Sequence, residues 1–272
     1  MKKGFSLVEL SIVIIIIGLL FVGVSAGSSL IQQAKIRTIF SDISQIQRSV
    51  QTFKVAYDYL PGDFPGAGVL WGAACGGNSP ASSGCNGDGD GVVGNYGETT
   101  AVPSYTGYTT KESTTETFRF WQHMQLAEIM DRSFTGEPSA SNCLSSGTPS
   151  CSTAENSYEL KYKDGILVNI IDSRKDNFYI NNYGYNYFAF KTGGVLEYQS
   201  SFPEFTARDT YNIDKKLDDG GPRSGRMQTL SPYGTGETFV PCYDVSTGVY
   251  LYNIETNGRC TFYLHGSFLG IL

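Results

Sequence analysis

Phe5 to Ala26 reads FSLVELSIVIIIIGLLFVGVSA, a run of 22 residues whose only ionisable side chain is Glu9. At 1.5 Å per residue a helix of that length spans about 33 Å, enough for a hydrocarbon core about 30 Å thick. Three readings of the run compete. A secretory signal peptide has a basic start, a short apolar stretch and an A-x-A-like cleavage site, and Met1-Lys2-Lys3 with Val24-Ser25-Ala26 supplies the two ends. A signal anchor would stay uncleaved, with Lys2 and Lys3 on the cytoplasmic side. Neither accounts for Glu9, because a carboxylate in a membrane helix is costly and is retained for a partner.

Glu9 stands five residues after Gly4, near the start of the apolar run. Cleavage after Gly4 would free an α-ammonium at Phe5, and a Glu one turn further on is placed to neutralise such an amine on a neighbouring copy. Lys3-Gly4-Phe5-Ser6-Leu7-Val8-Glu9-Leu10 resembles the leader and processing site of type IV prepilins and type II secretion pseudopilins. In that family a prepilin peptidase cuts after the Gly and N-methylates the following Phe, and the Glu pairs with an adjacent subunit's N-terminus during filament assembly. Gly4, Phe5 and Glu9 fall on those positions without departure from the pattern.

The resemblance implies a pilin-like α+β fold, with a long N-terminal α-helix packed on an antiparallel β-sheet head. Residues 1–4 would be the leader, 5–26 the transmembrane and filament-core helix, 27–60 the amphipathic spine of the head, and 61–272 the head itself. It also implies a single-pass bacterial inner-membrane precursor with a periplasmic head, then a place in a periplasmic or cell-surface filament. The implied partners are copies of the chain, other pilins or pseudopilins, prepilin peptidase, the inner-membrane assembly platform and, before assembly, membrane lipid.

The residues beyond Ala26 support one continuous helix independently. Ile36, Ile39, Ile43, Ile46, Val50, Phe53, Tyr57 and Leu60 repeat at alternating spacings of three and four, an apolar stripe on an amphipathic helix. No proline interrupts Phe5 to Leu60, and Pro61-Gly62 ends the pattern. A helix of about 50 residues, near 80 Å, is expected, and a cleaved signal peptide gives no reason for it. The Leu60-Pro61-Gly62-Asp63 turn that follows is similar to one found after the long helix of many prepilin-like proteins, and reads as a helix stop.

Six cysteines fall into three local pairs flanked by small polar residues: Cys75 with Cys85, Cys143 with Cys151, and Cys242 with Cys260. Six cysteines allow several connectivities, and nearest-neighbour bridges stapling the loops of an exported head are expected. No C-x-x-C spacing is present, which weakens zinc and thiol-redox readings.

Asn86-Gly87-Asp88-Gly89-Asp90-Gly91 places oxygen ligands at alternate positions before a glycine, as in short loops that wrap Ca²⁺. Asn86, Asp88 and Asp90 align with that pattern, while Glu98 closes it one residue late. No entering helix is credible in residues 76–84, so the loop is not a true EF-hand; the competing reading is a solvated Gly-Asp turn. Family resemblance adds that major pseudopilins bind calcium in their heads, in a different loop. A second acidic group, Asp214, Asp218 and Asp219, stands beside Lys215 and Lys216, which predicts a salt-bridged surface turn, with a cation site as the alternative.

Glu116–Met130 predicts an amphipathic helix, and residues 158–171, 178–190 and 195–198 predict strands. His123 and His265 lack ligand-spaced partners and read as surface or core-edge residues. A formal charge of −6, with no run of Lys or Arg, argues against nucleic-acid binding. No nucleophile, histidine and acid stand in an elbow-like setting, so no enzyme is expected. The functional alternatives are a filament subunit and a membrane-tethered or secreted calcium-dependent binding protein or enzyme. Glu9, the Gly4-Phe5 junction and the unbroken helix favour the first.

Overall fold

The computed structural model describes residues 6–75, 85–93, 115–137, 154–163, 165–172, 186–192, 205–230, 242–244, 246–251 and 259–269. Helix α1, Leu7–Tyr57, runs 51 residues without a break, about 77 Å. Its two halves differ as the stripe predicts. Leu7–Val24 is long and apolar enough to cross a membrane and buries none of its side chains. Ile36, Ile39, Ile43, Ile46, Val50 and Phe53 are all buried.

α1 stops at Tyr57, three residues before the end of the stripe. Asp58 adopts the left-handed conformation with φ 61°, and its N–H bonds back to the Lys54 carbonyl at 2.9 Å. Leu60 is nonetheless buried, so it packs from the turn rather than from the helix.

The main sheet is antiparallel in the order β1 (Tyr158–Glu159), β2 (Ile166–Asp172), β3 (Asn186–Thr192), β8 (Arg259–His265), β4 (Phe205–Thr206). β5 (Met227–Leu230) also pairs with β8, further along the same edge as β4. A separate hairpin joins β6 (Tyr243–Asp244) to β7 (Val249–Tyr250). The register pairs Val168 with Phe190 and Ile170 with Phe188, then Phe188 with Leu264 and Phe190 with Phe262. This puts one apolar row on the face that shares the core with the α1 stripe. The other face is buried too, with Tyr187, Ala189 and Tyr263 forming a small second cluster.

The expected strand over 158–171 is two strands, because the chain turns back through Gly165 at φ 83°. Residues 178–185 and 195–198 lie outside the described residues. α2 (Ala67–Trp71) continues into a 3₁₀ turn, Gly72–Cys75. α3 is Thr115–Leu126, ending four residues before the Met130 expected. Its end is a Schellman turn: Glu128 is left-handed at φ 57°, and the N–H groups of Ile129 and Glu128 bond to the carbonyls of Met124 and Gln125. α4, Ala207–Leu217, is capped by Thr206, whose Oγ1 accepts the Asp209 N–H at 3.1 Å.

Two of the expected disulfides are present, Cys75–Cys85 and Cys242–Cys260. Cys143 and Cys151 lie outside the described residues.

Candidate functional site

At the N-terminus, α1 opens with a capping box. Glu9 Oε2 accepts the Ser6 N–H at 2.8 Å, and Ser6 Oγ accepts the Val8 N–H at 3.3 Å. Glu9 is therefore aimed back along the helix toward the position that follows Phe5. Gly4 and Phe5 lie outside the described residues.

A second constellation is built where α1 ends. The Leu60–Asp63 turn lies beyond the helix end at Asp58, and it holds the glycine-aspartate loop. Gly62 N–H donates to His123 Nδ1 at 2.9 Å, so the ring proton sits on Nε2, which donates to the Cys85 carbonyl at 2.8 Å. Asp63 takes the loop's amides with both carboxylate oxygens: Oδ1 from Gly89 at 2.7 Å and Oδ2 from Gly91 at 2.9 Å. The Phe64 carbonyl accepts Gly87 N–H at 3.1 Å. Gly87 lies so close that an added Cβ would stand 2.2 Å from the Asp63 carbonyl carbon and 2.5 Å from the Gly62 oxygen. The far end of the loop is fixed by Asn186, which accepts the Val93 N–H at 2.9 Å and donates to the Val93 carbonyl at 2.6 Å.

This folding gathers Asp63, Asp88 and Glu116, each able to offer a carboxylate oxygen within 4.8 Å of the others. Glu116, on the first turn of α3, also accepts the Asp88 N–H at 2.9 Å. Burial pushes the Asp63 carboxyl up to about 6, against the Gly91 and Gly89 amides and with help from Asp90 and Asp88. Among the described residues no Lys or Arg pairs with Asp63 or Asp88. His123 is held down to about 4, chiefly by burial, with the Cys85 carbonyl opposing and Arg119 adding.

Of the expected ligands, Asp88 alone enters this trio. Asn86 Oδ1 accepts the Gly68 N–H at 2.6 Å, and Asp90 is exposed, its Oδ1 taking Val92 N–H at 2.8 Å. Glu98 lies outside the described residues. Asp63 and Glu116 carry no local signal of a site, since one closes the turn that follows α1 and the other opens a helix. His123 is no surface residue but fully buried among Phe53, Phe64 and Trp71. Both its nitrogens are taken by backbone groups.

Asp214, Asp218 and Asp219 form a second carboxylate trio. The base that pairs with it differs from the expectation: Lys215 and Lys216 lie over the Tyr211 and Phe40 rings at 5.7 and 5.6 Å, and Arg226 Nε instead stands 4.0 Å from Asp218 Oδ1. Asp214 is buried, accepting Tyr250 OH at 2.7 Å and Gly220 N–H at 3.3 Å. Burial pushes it up to about 7, Tyr250 and Gly220 opposing. Asp218 accepts the Met227 N–H at 2.9 Å and the Arg226 N–H.

A long helix, half bare and half buried against an antiparallel sheet, with a capping acid in its first turn, is the architecture onto which the sequence comparison falls. Residues 1–25 match the prokaryotic N-terminal methylation motif, the signature of type IV pilins and pseudopilins. The chain thus carries the mark of a pilin-type precursor. No curated protein and no solved structure matches the chain.

Proposed function

We propose that the chain is a structural subunit, a pilin or pseudopilin, of a type IV pilus or type II secretion filament. Prepilin peptidase cleaves it after Gly4 and N-methylates Phe5. The single observation that carries the reading is an apolar helix with every side chain of Leu7–Val24 exposed, joined without a break to a buried spine and headed by Glu9. Apolar surface of that extent is stable only in lipid or against its own kind. Leaving the membrane is tolerable when the helices of many copies bury one another. Glu9, satisfied by its own Ser6 amide in the single chain, gains a charged partner in the amine of a neighbour's Phe5 and so sets the register between subunits. The inner-membrane assembly platform and other pilins or pseudopilins are the remaining partners.

Mass spectrometry of the protein from native membranes tests the processing, with a chain starting at N-methylated Phe5 as the expected result. A start at Gly27 would mean a signal peptide and return the secreted binding protein. Glu9→Ala should leave processing near normal and abolish or weaken assembly; filaments at normal yield from that variant would sink the role given to Glu9.

The head has no enzymatic part in this reading. Calcium is the ion that the alternating oxygen ligands of the loop suggest in sequence, and the donor chemistry of the Asp63, Asp88 and Glu116 trio fits it: three hard carboxylate oxygens, with Asp63 and Glu116 buried. We place the ion on these three carboxylates, with Asp88 the loop's contribution; Glu98 is a further donor in sequence alone. Bound calcium would supply positive charge to this node. A chelator should then lower the melting temperature of the head and calcium restore it, and an Asp63→Asn chain should lose the response. Identical melting curves with chelator and with calcium would remove the ion from this account.

A further inference from the structure

We propose that the membrane-proximal end of the head is a basic collar that rests on the anionic headgroups of phospholipid around the spanning helix before assembly. The proposal depends on reading Leu7–Val24 as a membrane span.

The head is tied to α1 close to that span. Gln32 Nε2 donates to Asp209 Oδ2 at 2.6 Å, and Tyr162 OH donates to the same oxygen at 3.2 Å. Lys161 N–H donates to Asp42 Oδ2 at 2.9 Å, and Lys216 lies over Phe40. α4 therefore runs beside α1 in the same sense, with its first turn lowest. Gln32 is eight residues beyond Val24, about 12 Å along the axis. The headgroup layer takes up about 5–8 Å of that distance. Exposed Leu30 and Ile31 fall in this interval, where an apolar side chain meets the acyl boundary.

Among the described residues at this level, charge is sorted by sign. The acids are turned inward: Asp42, Asp209 and Asp214 are buried and accept hydrogen bonds from the head itself. The bases nearest the span are turned outward: Lys35, Arg37 and Arg208 are exposed, whereas Lys161 stands higher on the rod and pairs with Asp42 at 3.3 Å. Lys35, Arg37 and Arg208 form no ion pair among the described residues. This is a cationic ring on a chain whose formal net charge is −6.

Its geometry selects the partner. Lys35 and Arg37 lie about 200° apart around α1, and Arg208 sits beside Asp209 at the height of Gln32. Cations on opposite sides of a rod at one height match a plane better than a patch on a second protein. Helical side chains also lean toward the N-terminus, which here is toward the membrane. Their charged ends come within about one screening length, near 8 Å, of the headgroups.

Hydrogen–deuterium exchange on the full chain in lipid nanodiscs tests this. Discs of phosphatidylcholine alone would be compared with discs containing phosphatidylglycerol. Amides of 205–216 and 158–163 should exchange about threefold more slowly in the anionic discs. Molar salt should erase the difference, as should K35E/R37E/R208E, while R48E, about 36 Å beyond Val24, should keep it. Unchanged exchange across 259–265 would show that the triple variant is folded. Equal exchange in both discs overturns the collar. Slowing that follows the number of chains per disc, and not lipid charge, overturns it in favour of a second copy. A chain that enters neither disc overturns the span and the collar together, so the two failures are distinguishable.

Discussion

Gly87 and Asp63 meet where the chain after α1 folds back on itself, and the fit leaves no room for a methyl group. A Cβ on Gly87 would lie within 2.5 Å of three backbone atoms of residues 62 and 63. Backbone cannot swing aside as a flexible side chain does, so the loop would lift and release the amides that Asp63 holds. Gly87→Ala should cost about 3 kcal/mol, read from chemical denaturation of the head. Gly91→Ala tests something different, since a Cβ there meets open space and the cost is confined to its φ of 88°. The residues that make this node were the least legible in the sequence. Asp88 and Asp90 advertised themselves by alternation with glycine, yet the contacts that matter join 63 to 89 and 62 to 123, across separations that no local pattern records. His123 was obscure for the same reason: a buried histidine held by two backbone groups has no companion residue at any set spacing.

The two halves of α1 should respond differently to the same truncation. Ile43 is buried against the sheet, whereas Ile14 is exposed. Ile43→Ala should destabilise the head by about 2–5 kcal/mol, and Ile14→Ala should leave its denaturation midpoint unmoved. Equal losses would mean that the apolar half contributes to the folded head. This division was plain in the sequence, because a three-four stripe and a uniform apolar run are different periodic signals. β8 shows the opposite case. Thr261-Phe262-Tyr263-Leu264 alternates, but its four residues include three that suit either face, and its place at the centre of the sheet comes only from pairing with β3, β4 and β5. The end of α3 was hidden as well, since its left-handed residue is Glu128 and not a glycine.

Across the whole molecule, stability should follow pH through buried groups of opposed sign, three of which stand out among the described residues. Asp63, raised to about 6, and Asp214, raised to about 7, bind a proton more tightly folded than unfolded. Their contribution is full at low pH and is lost as pH rises through those values. His123, lowered to about 4, resists a proton when folded, so its contribution is full above the unfolded value near 6.5 and is lost as pH falls toward 4. His265, half-buried and also held down by burial, sides with His123, and the two raised carboxyls outweigh them. With calcium removed, the melting temperature should rise from pH 8 to pH 5.5, and Asp214→Asn should flatten much of that rise. A wild-type profile that falls over the same interval would mean that the two carboxylates are solvated rather than buried.

The glycines of α1 are Gly18, Gly23 and Gly27, and none occurs from Ser28 to Tyr57. Whatever bending the helix undergoes is thereby concentrated near the anchor, and the upper part behaves as a stiff pushrod. Each residue of travel at its foot raises the entire head by about 1.5 Å, with no slack to absorb the stroke.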